Sequence, residues 1–285
     1  MPRPDEEVVD QGLGFDLETL LGRRQLFRAF GLGAATLGLA ACSSESGGGT
    51  GSGAGTASGG TSTGEIPDET AGPYPGDGSN GPDVLEQSGV VRSDIRSSFG
   101  DAGGTAEGVP MTVELTVRDL ANGGSAFAGV AVYVWHCDRE GRYSMYSDGV
   151  TAENYLRGVQ IADDSGIVTF TSVFPACYDG RWPHIHFEVY PDQAGITDSA
   201  NAIATSQVAL PKDVCEKAYA QTGYDASVSN LARVTLQGDN VFGDDGAASQ
   251  LATVTGDVSS GFAVALTVGV DTTTVPAVGG GRPRG

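Results

Sequence analysis

From residue 111 onward, apolar residues recur at every second position, which is the spacing of a half-buried β-strand. Because successive side chains of a strand point to opposite faces, this alternation gives the segment one apolar and one polar face. The pattern is clearest where polar residues separate Met111, Val113, Leu115 and Val117.

Three later segments also predict strands. The run..GVAVYVWHC.. is mostly apolar and rich in β-branched and aromatic residues, and..GVQIADDSGIVTFTSV.. predicts two strands joined at the turn-forming residues 164–166. Residues 249–270,..SQLATVTGDVSSGFAVALTVGV.., predict a closing hairpin. The chain is therefore expected to be all-β, an antiparallel β-sandwich or barrel whose long loops carry function.

One or two short helices are expected beside the strands. The best candidate is..PKDVCEKAYA.. at 211–220, because proline is favoured at a helix start and Val214, Ala218 and Tyr219 share one face.

The N-terminal segment has the pattern of an export signal. Arg23 and Arg24 precede a short glycine- and alanine-rich apolar run that ends in Leu-Ala-Ala before Cys42. This segment resembles the twin-arginine signals of bacterial lipoproteins, in which cleavage precedes the cysteine and a lipid is attached to its sulfur. The alternative is a plain cleaved signal with an incidental cysteine. The resemblance implies an exported protein, lipid-anchored through Cys42 on the cell-surface or periplasmic side of the membrane.

Four regions follow from these patterns. Residues 1–41 are expected to be the signal, and residues 42–64 form a Gly/Ser/Thr-rich tether with almost nothing that could pack. Residues 65–272 form the β-domain, and residues 273–285 are expected to be a disordered tail.

The charge of the chain excludes some partners. Its formal net charge is −20, and it has no basic cluster beyond the N-terminus. Nucleic acid and anionic membrane surfaces are therefore excluded as partners, and membrane contact is expected only through the lipid anchor. A homo-oligomer stays open.

Two of the three histidines of the chain lie one residue apart in..GRWPHIHFEV.. at 180–189. In a strand, His184 and His186 would project from one face, while Ile185, Phe187 and Val189 are buried on the other. Two adjacent imidazoles can form one edge of a metal site, although a solvated polar strand face is the alternative.

The neighbourhood of the histidine pair matches a known family. Tyr143 lies in a glycine-containing loop after an apolar strand, and Tyr178 and Arg181 precede the histidines. The order Trp-His, Gly-x-Tyr, Gly-x-Gln, Pro-x-x-Tyr and Arg-x-x-His-x-His resembles the intradiol ring-cleavage dioxygenases, the group of protocatechuate 3,4-dioxygenase and catechol 1,2-dioxygenase. The resemblance spans about residues 68–222 and includes..TAGPYPGDG.. near its start.

The resemblance implies a metal site and its substrate contacts. Its four protein ligands fall on Tyr143, Tyr178, His184 and His186, and they would hold one Fe(III) per chain. Its substrate-stabilising arginine falls on Arg181, and a family glutamine matches Gln207 more loosely. Two departures leave the substrate open: the segment between the second tyrosine and the histidines is short, and Ala176-Cys177 replaces a Gly-Trp or Gly-Pro pair.

The donor types themselves favour Fe(III). Free tyrosine titrates near pH ~10, and a nearby trivalent cation lowers that pKa and makes tyrosinate available. Zinc sites use mainly Cys, His and carboxylates, and Fe(II) oxygenases favour two histidines with one carboxylate. Two tyrosines with two histidines fit neither pattern.

The implied activity is cleavage of a catecholic ring by O2 to a cis,cis-muconate-type diacid. In the family, the second tyrosine, here Tyr178, leaves the metal when substrate binds and accepts a proton. Two alternatives stay open. One is a non-catalytic β-sandwich lipoprotein that binds catechols or metal, and the other is a copper or zinc enzyme that uses His136, His184 and His186.

The remaining cysteines and aromatic residues are expected to stabilise the fold or to line the pocket. Setting Cys42 aside leaves three cysteines, and a disulfide between Cys177 and Cys215 is the preferred pairing, with Cys137 as a buried thiol. His136, at a strand end, is expected to be structural. Three aromatic side chains are expected either to line the pocket or to belong to the core: Tyr146, Tyr155 and Trp182.

Overall fold

The computed structural model describes residues 64–275. The predicted signal, Cys42 and residues 42–63 of the predicted tether lie outside the described residues, as does the predicted tail beyond residue 275. Within the described part, Thr273 and Thr274 still hydrogen-bond to Asp271. The regular secondary structure of the described chain consists mainly of two β-sheets and two short helices.

The first sheet has five strands. Its central strand pairs with β5 on one side and with β9 on the other, and the order along the main path is β2-β1-β9-β8. The five strands are β1 (Pro110–Asp119), β2 (Ser125–Ala126), β5 (Ile167–Val173), β8 (Thr253–Asp257) and β9 (Gly261–Val270).

The second sheet has four strands, all antiparallel, in the order β4-β3-β6-β7. They are β3 (Ala131–Trp135), β4 (Arg157–Ile161), β6 (His184–Tyr190) and β7 (Ala204–Ala209). Strand β6 lies at an inner position, where its neighbours satisfy both edges of its backbone. Its residues are consequently fixed in register, with Trp135 opposite His186 on one side and Gln207 opposite His186 on the other.

Several strand predictions are confirmed. The alternating residues of β1 are buried at Met111, Val113, Leu115 and Val117. The predicted closing hairpin forms between β8 and β9. The two strands joined at residues 164–166 also form, but β4 pairs within the second sheet and β5 within the first, so this turn carries the chain from one sheet to the other.

The expected all-β sandwich is confirmed, but two finer parts of the prediction, a purely antiparallel arrangement and a closed barrel, are wrong. Strand β9 runs parallel to β1 over the register from Met111 opposite Phe262 to Asp119 opposite Val270, so the first sheet is mixed. A parallel pair requires a long crossover, and here the second sheet and both helices intervene in sequence between β1 and β9. The described strands form two open sheets rather than a closed barrel.

Both helices follow the second sheet. Helix α1 spans Lys212–Tyr219 as predicted; Pro211 is at its N-cap position, and Val214, Ala218 and Tyr219 are buried. Helix α2 spans Asp225–Leu231 and was not predicted. No helix in the described range is long and apolar enough to cross a membrane.

The predicted Cys177–Cys215 disulfide is not formed. Cys137, Cys177 and Cys215 are all buried free thiols. The Cys177 Sγ atom lies 3.5 Å from the carbonyl oxygen of Arg181, and the Cys215 Sγ atom lies 3.9 Å from that of Leu210. The thiols of Cys177 and Cys215 thus pack against nearby backbone, and burial raises the pKa of Cys177 to about 12.

The main core lies on the side of β6 opposite its histidines. Ile185, Phe187 and Val189 belong to this core, as expected. The other face of the second sheet contributes to a smaller cluster that includes Tyr133, Trp135 and Tyr143. The fold therefore turns the histidine pair away from the main core toward the loops that follow β3 and β5.

Candidate metal centre

The four predicted ligands converge beside the second sheet. The Nε2 atoms of His184 and His186 are 3.0 Å apart, and the Tyr178 hydroxyl oxygen lies 3.2 Å from His184 Nε2. The Tyr143 ring meets the rings of Tyr178 and His186 edge-on, with centroid distances of 5.9 and 6.2 Å. Residues from β6 and from two separate loops therefore meet at one point.

Burial lowers the pKa of both histidines of the pair. It lowers the pKa of His184 to about 3, with Arg181 adding repulsion, and it lowers the pKa of His186 well below its ordinary value. Both imidazoles are thus neutral at pH 7, the form in which histidine binds metals. Burial also raises the pKa of Tyr143 well above its ordinary range, and the neighbouring Tyr178 adds to the shift.

Two buried polar atoms at the site have no hydrogen-bond partner among the described residues: the Tyr143 hydroxyl oxygen and His186 Nδ1. A buried hydroxyl without a partner is costly, and a cation beside it would remove that cost. The Nδ1 atom of His184 lies 2.5 Å from the Trp182 carbonyl oxygen. This contact fixes the tautomer that leaves Nε2 free to bind a metal, so the residues fit a metal ion.

Helix α2 holds the loop that carries Tyr178. The Cys177 amide donates to the Ser227 hydroxyl over 3.0 Å, and the Asn230 side-chain amide donates to the Cys177 carbonyl over 2.7 Å. Tyr178 is half-buried, whereas Tyr143 is only 2% exposed. The two tyrosines therefore differ in their freedom to move.

A buried ion pair lies next to the ligands. Arg181 is buried, and its Nε atom donates to Asp239 over 3.0 Å. Its Nη2 atom donates to the Gln207 side-chain oxygen over 2.8 Å, while the Gln207 side-chain amide donates to the Thr70 carbonyl over 3.0 Å. Both ends of the Gln207 amide are therefore engaged, and this residue orients Arg181.

Residues 70–76,..TAGPYPG.., cross the site and are called the strap below. Gly72 has φ +74°, and a β-carbon there would lie 3.4 Å from His186 Cε1. The Tyr74 ring packs at 5.0 Å from the Tyr143 ring and at 5.2 Å from the Tyr146 ring. The strap thus covers one histidine and one tyrosine of the predicted ligand set.

The remaining predicted residues lie outside the ligand set. Both ring nitrogens of His136 are taken, at 2.7 Å from the Ser172 hydroxyl and at 2.8 Å from the Cys137 carbonyl. Trp182 and Tyr155 are core residues, while Tyr146 is half-buried beside the strap. No group of three or more His, Cys, Asp or Glu side chains between residues 64 and 275 could hold a metal. The three-histidine copper or zinc site is therefore wrong.

Sequence reasoning missed the residues that support the site. Asp239 comes from a distant loop with no motif, and the contact of Tyr74 with Tyr143 depends on the path of the strap. Glu69 precedes the strap, and burial with the nearby charge of Asp244 raises its pKa to about 8, opposed by Arg181. Only the strap had a visible signal, the quoted..TAGPYPGDG.. motif.

Comparisons with known proteins find similarity to dioxygenases. Residues 80–192 match a family model described as dioxygenase. Catechol 1,2-dioxygenase of Pseudomonas sp. strain EST1001 is 38% identical over 72 residues, which are 25% of this chain and 23% of that enzyme. The match therefore spans about a quarter of the relative's length.

Solved structures share the fold. An intradiol ring-cleavage dioxygenase from Tetranychus urticae aligns with a TM-score of 0.57 at 22% identity, over 74% of this chain and 96% of that one. A second dioxygenase structure aligns with a TM-score of 0.58 at 22% identity over the same shares. These two structures and this chain share a β-sandwich fold. Over residues 80–192 this chain is similar to the dioxygenase family, and its fold is similar to that of solved intradiol ring-cleavage dioxygenases.

Proposed function

We propose that this protein cleaves a catecholic ring between its hydroxylated carbons, using O2 and one Fe(III) per chain, to give a cis,cis-muconate-type diacid. The observation that carries the proposal is the convergence of Tyr143, Tyr178, His184 and His186 next to the buried Arg181. The similarity to a catechol 1,2-dioxygenase supports a catechol-type substrate.

The four side chains fit iron by their chemistry. Two neutral imidazoles and two phenols, one of which is buried without a hydrogen-bond partner, would hold the ion. When bound, Fe(III) supplies the electron-accepting chemistry that makes a catecholate reactive toward O2. The site of the chain must then bind the catechol, accept its protons and stabilise its charge.

Tyr178 is the better proton acceptor of the two tyrosines. It is half-buried and contacts His184, so it can turn toward an entering substrate without disrupting the core. Tyr143 is enclosed by Tyr74, Tyr178 and His186 and stays in place. In this proposal Tyr178 would be a tyrosinate while it holds the metal, and its phenolate oxygen would take one catechol proton as the substrate binds, leaving a neutral phenol.

Arg181 stabilises negative charge on the substrate ring. Its Nε and Nη2 atoms are held by Asp239 and Gln207, and no partner of Nη1 is seen in the described residues. A guanidinium fixed on one side can present its remaining donor without reorganising, which is the requirement for electrostatic stabilisation of a developing charge.

Oxygen uptake with catechol, followed by identification of the product, tests this function. Ring cleavage consumes one O2 per catechol and gives the diacid. A non-catalytic catechol- or metal-binding lipoprotein is the alternative, and it would bind catechol without consuming O2. Arg181→Met tests the role of the guanidinium, because it keeps the four proposed ligands while removing the charge.

We also propose that the enzyme acts outside the cytoplasm, anchored by a lipid on Cys42. The twin arginines and the Leu-Ala-Ala-Cys sequence support this location. Fractionation of cells expressing wild type and Cys42→Ala tests it. The variant should leave the membrane fraction, and retention there would contradict the lipid anchor.

A further inference from the structure

We propose that Arg157 is a positioning residue that fastens the strap onto the Tyr143 loop, so that Tyr74 holds the Tyr143 phenol at the metal centre. The role in metal binding rests on the proposed function. Arg157 lies in β4, is 1% exposed, and contacts none of the four ligands through a hydrogen bond in the described structure.

The Arg157 guanidinium uses all five of its N–H donors. Two bonds go to Ser144, which follows Tyr143: Nε donates to its hydroxyl over 3.1 Å, and Nη2 donates to its carbonyl over 2.9 Å. Two go to the strap, from Nη2 to the Tyr74 carbonyl over 2.9 Å and from Nη1 to the Pro75 carbonyl over 2.7 Å. One side chain therefore joins two segments about 70 residues apart in sequence.

The fifth bond reinforces the strap. Arg157 Nη1 donates to the Tyr133 hydroxyl over 3.0 Å, and that hydroxyl donates to the Pro75 carbonyl over 2.7 Å. The strap also passes so close that a β-carbon at Gly76 would lie 2.8 Å from Nη1. Arg157 takes part in none of the ion pairs among the described residues, so its donors serve carbonyl and hydroxyl oxygens.

Backbone strain lies on both sides of this contact. Met145, directly after Ser144, has φ 73°, and Leu156, directly before Arg157, has φ 57°. Only three non-glycine residues between residues 64 and 275 have positive φ, and these are two of them. Such conformations persist where surrounding contacts enforce them. Their presence on both sides of the contact between Arg157 and Ser144 supports a functional role for this contact.

Matched variants separate positioning from general stabilisation. Arg157→Gln removes the strap contacts. Arg92→Gln removes comparable bonds to main-chain carbonyls, including 2.6 Å to the Arg157 carbonyl and 3.3 Å to that of Asn154, but none to the strap. Tyr133→Phe is a milder strap variant. Its control is Tyr224→Phe, which loses a buried hydroxyl that donates to the Phe174 carbonyl over 2.7 Å.

Hydrogen exchange on the metal-free full chain is the first readout. The amides of Gly76 and Ser147 are probes, since they donate to the Tyr146 hydroxyl and to the Tyr143 carbonyl. We expect both probe amides to exchange at least tenfold faster in Arg157→Gln than in Arg92→Gln. Tyr133→Phe should increase the exchange rate at the same amides by a smaller factor. If Arg157→Gln does not fold, Tyr133→Phe against Tyr224→Phe decides the question. The inference would be overturned if the two probe amides exchanged at the same rate in variant and control. It would also be overturned if exchange in the variant increased evenly over the whole described chain.

The iron-loaded protein gives the second readout. Arg157→Gln should shift the tyrosinate-to-iron absorption band and release iron to a chelator at least tenfold faster, while Arg92→Gln should change neither. An unchanged band and unchanged iron release in Arg157→Gln would overturn the link to Tyr143. A wild-type protein that binds no iron would instead refute the proposed function, and the exchange measurement would still decide whether Arg157 holds the strap.

Discussion

Asp239 accepts hydrogen bonds from Arg181 at 3.0 Å from Nε and at 3.4 Å from Nη2, and both side chains are buried. Burial opposes ionisation of Asp239, but Arg181 and the main-chain amide of Trp182 outweigh it, so the pKa of Asp239 lies below its ordinary value. The carboxylate thus stays charged at neutral pH and fixes the guanidinium that faces the metal centre.

Asp239→Asn should destabilise the protein strongly. Breaking a buried pair leaves an uncompensated charge, which costs about 3–5 kcal/mol of unfolding free energy. Asp179→Asn is the matched control, because it breaks the exposed pair with Arg233 at 2.9 Å and should cost about 0–1 kcal/mol. Urea denaturation at pH 7 measures both. Similar losses in the two variants would contradict the structural importance of the buried pair.

The two ligand tyrosines should fail in different ways. Tyr178→Phe should still bind iron but form the catechol complex slowly, because its proton acceptor is missing. Tyr143→Phe should alter the colour more than the binding step, since Tyr143 is enclosed and stays in place. Anaerobic rapid mixing with catechol, followed by oxygen, separates the steps. Equal slowing of catechol binding in both variants would show that the departing ligand is wrongly assigned.

Gly72→Ala should affect both stability and the metal site. Gly72 has φ +74°, a conformation that costs a residue with a β-carbon about 1–2 kcal/mol of folding free energy. The added β-carbon would also lie 3.4 Å from His186 Cε1. Gly123→Ala is the control, since Gly123 has φ +72° with nothing within 4 Å of a β-carbon. Both variants should lose similar unfolding free energy, but only Gly72→Ala should bind iron more weakly. Equal iron affinity in the two would mean that the strap does not bear on His186.

The stability of the metal-free chain should have a maximum near pH ~6.5, the unfolded pKa of histidine. Burial lowers the pKa of His136 to about 4, that of His184 to about 3 and that of His186 well below its usual value. Below about pH 6.5 the unfolded chain takes up three protons that the folded chain does not, so these groups destabilise the fold as pH falls.

Two carboxyls act in the opposite direction. Burial raises the pKa of Glu69 and of Glu188 to about 8, so between about pH 4.5 and 8 the folded chain holds two more protons than the unfolded chain. Net stability should therefore fall as the pH drops below about 6 and fall again as the pH rises from about 7 to 8. Urea melts across this range test it. Glu188→Gln should halve the alkaline loss, and a steady rise through pH 8 would contradict the assignment.

Most of the secondary structure could be predicted from local sequence patterns. The strand β1, the β8–β9 hairpin and helix α1 were predictable because alternation and proline placement act over a few residues. The parallel pairing of β9 with β1 was not, because strand partners about 150 residues apart leave no local pattern. The prediction of antiparallel strands rested on the fact that antiparallel strand pairs are more common than parallel pairs.

The convergence of the four proposed ligands was predictable for a different reason. His184 and His186 share a strand face, so their meeting needs only the period of the strand, and the family motif added both tyrosines. Asp239 and Arg157 reach the site through tertiary contacts and carry no motif. The prediction of a Cys177–Cys215 disulfide was wrong because the sequence alone does not determine which thiols face each other in the fold.

Metal analysis of the natively expressed full chain, combined with its visible spectrum, tests the central claim most directly. We predict one iron per chain and a red-brown colour from tyrosinate-to-Fe(III) charge transfer, with the colour lost when both Tyr143 and Tyr178 are replaced by phenylalanine. Stoichiometric zinc without iron, in a colourless protein, would contradict the account.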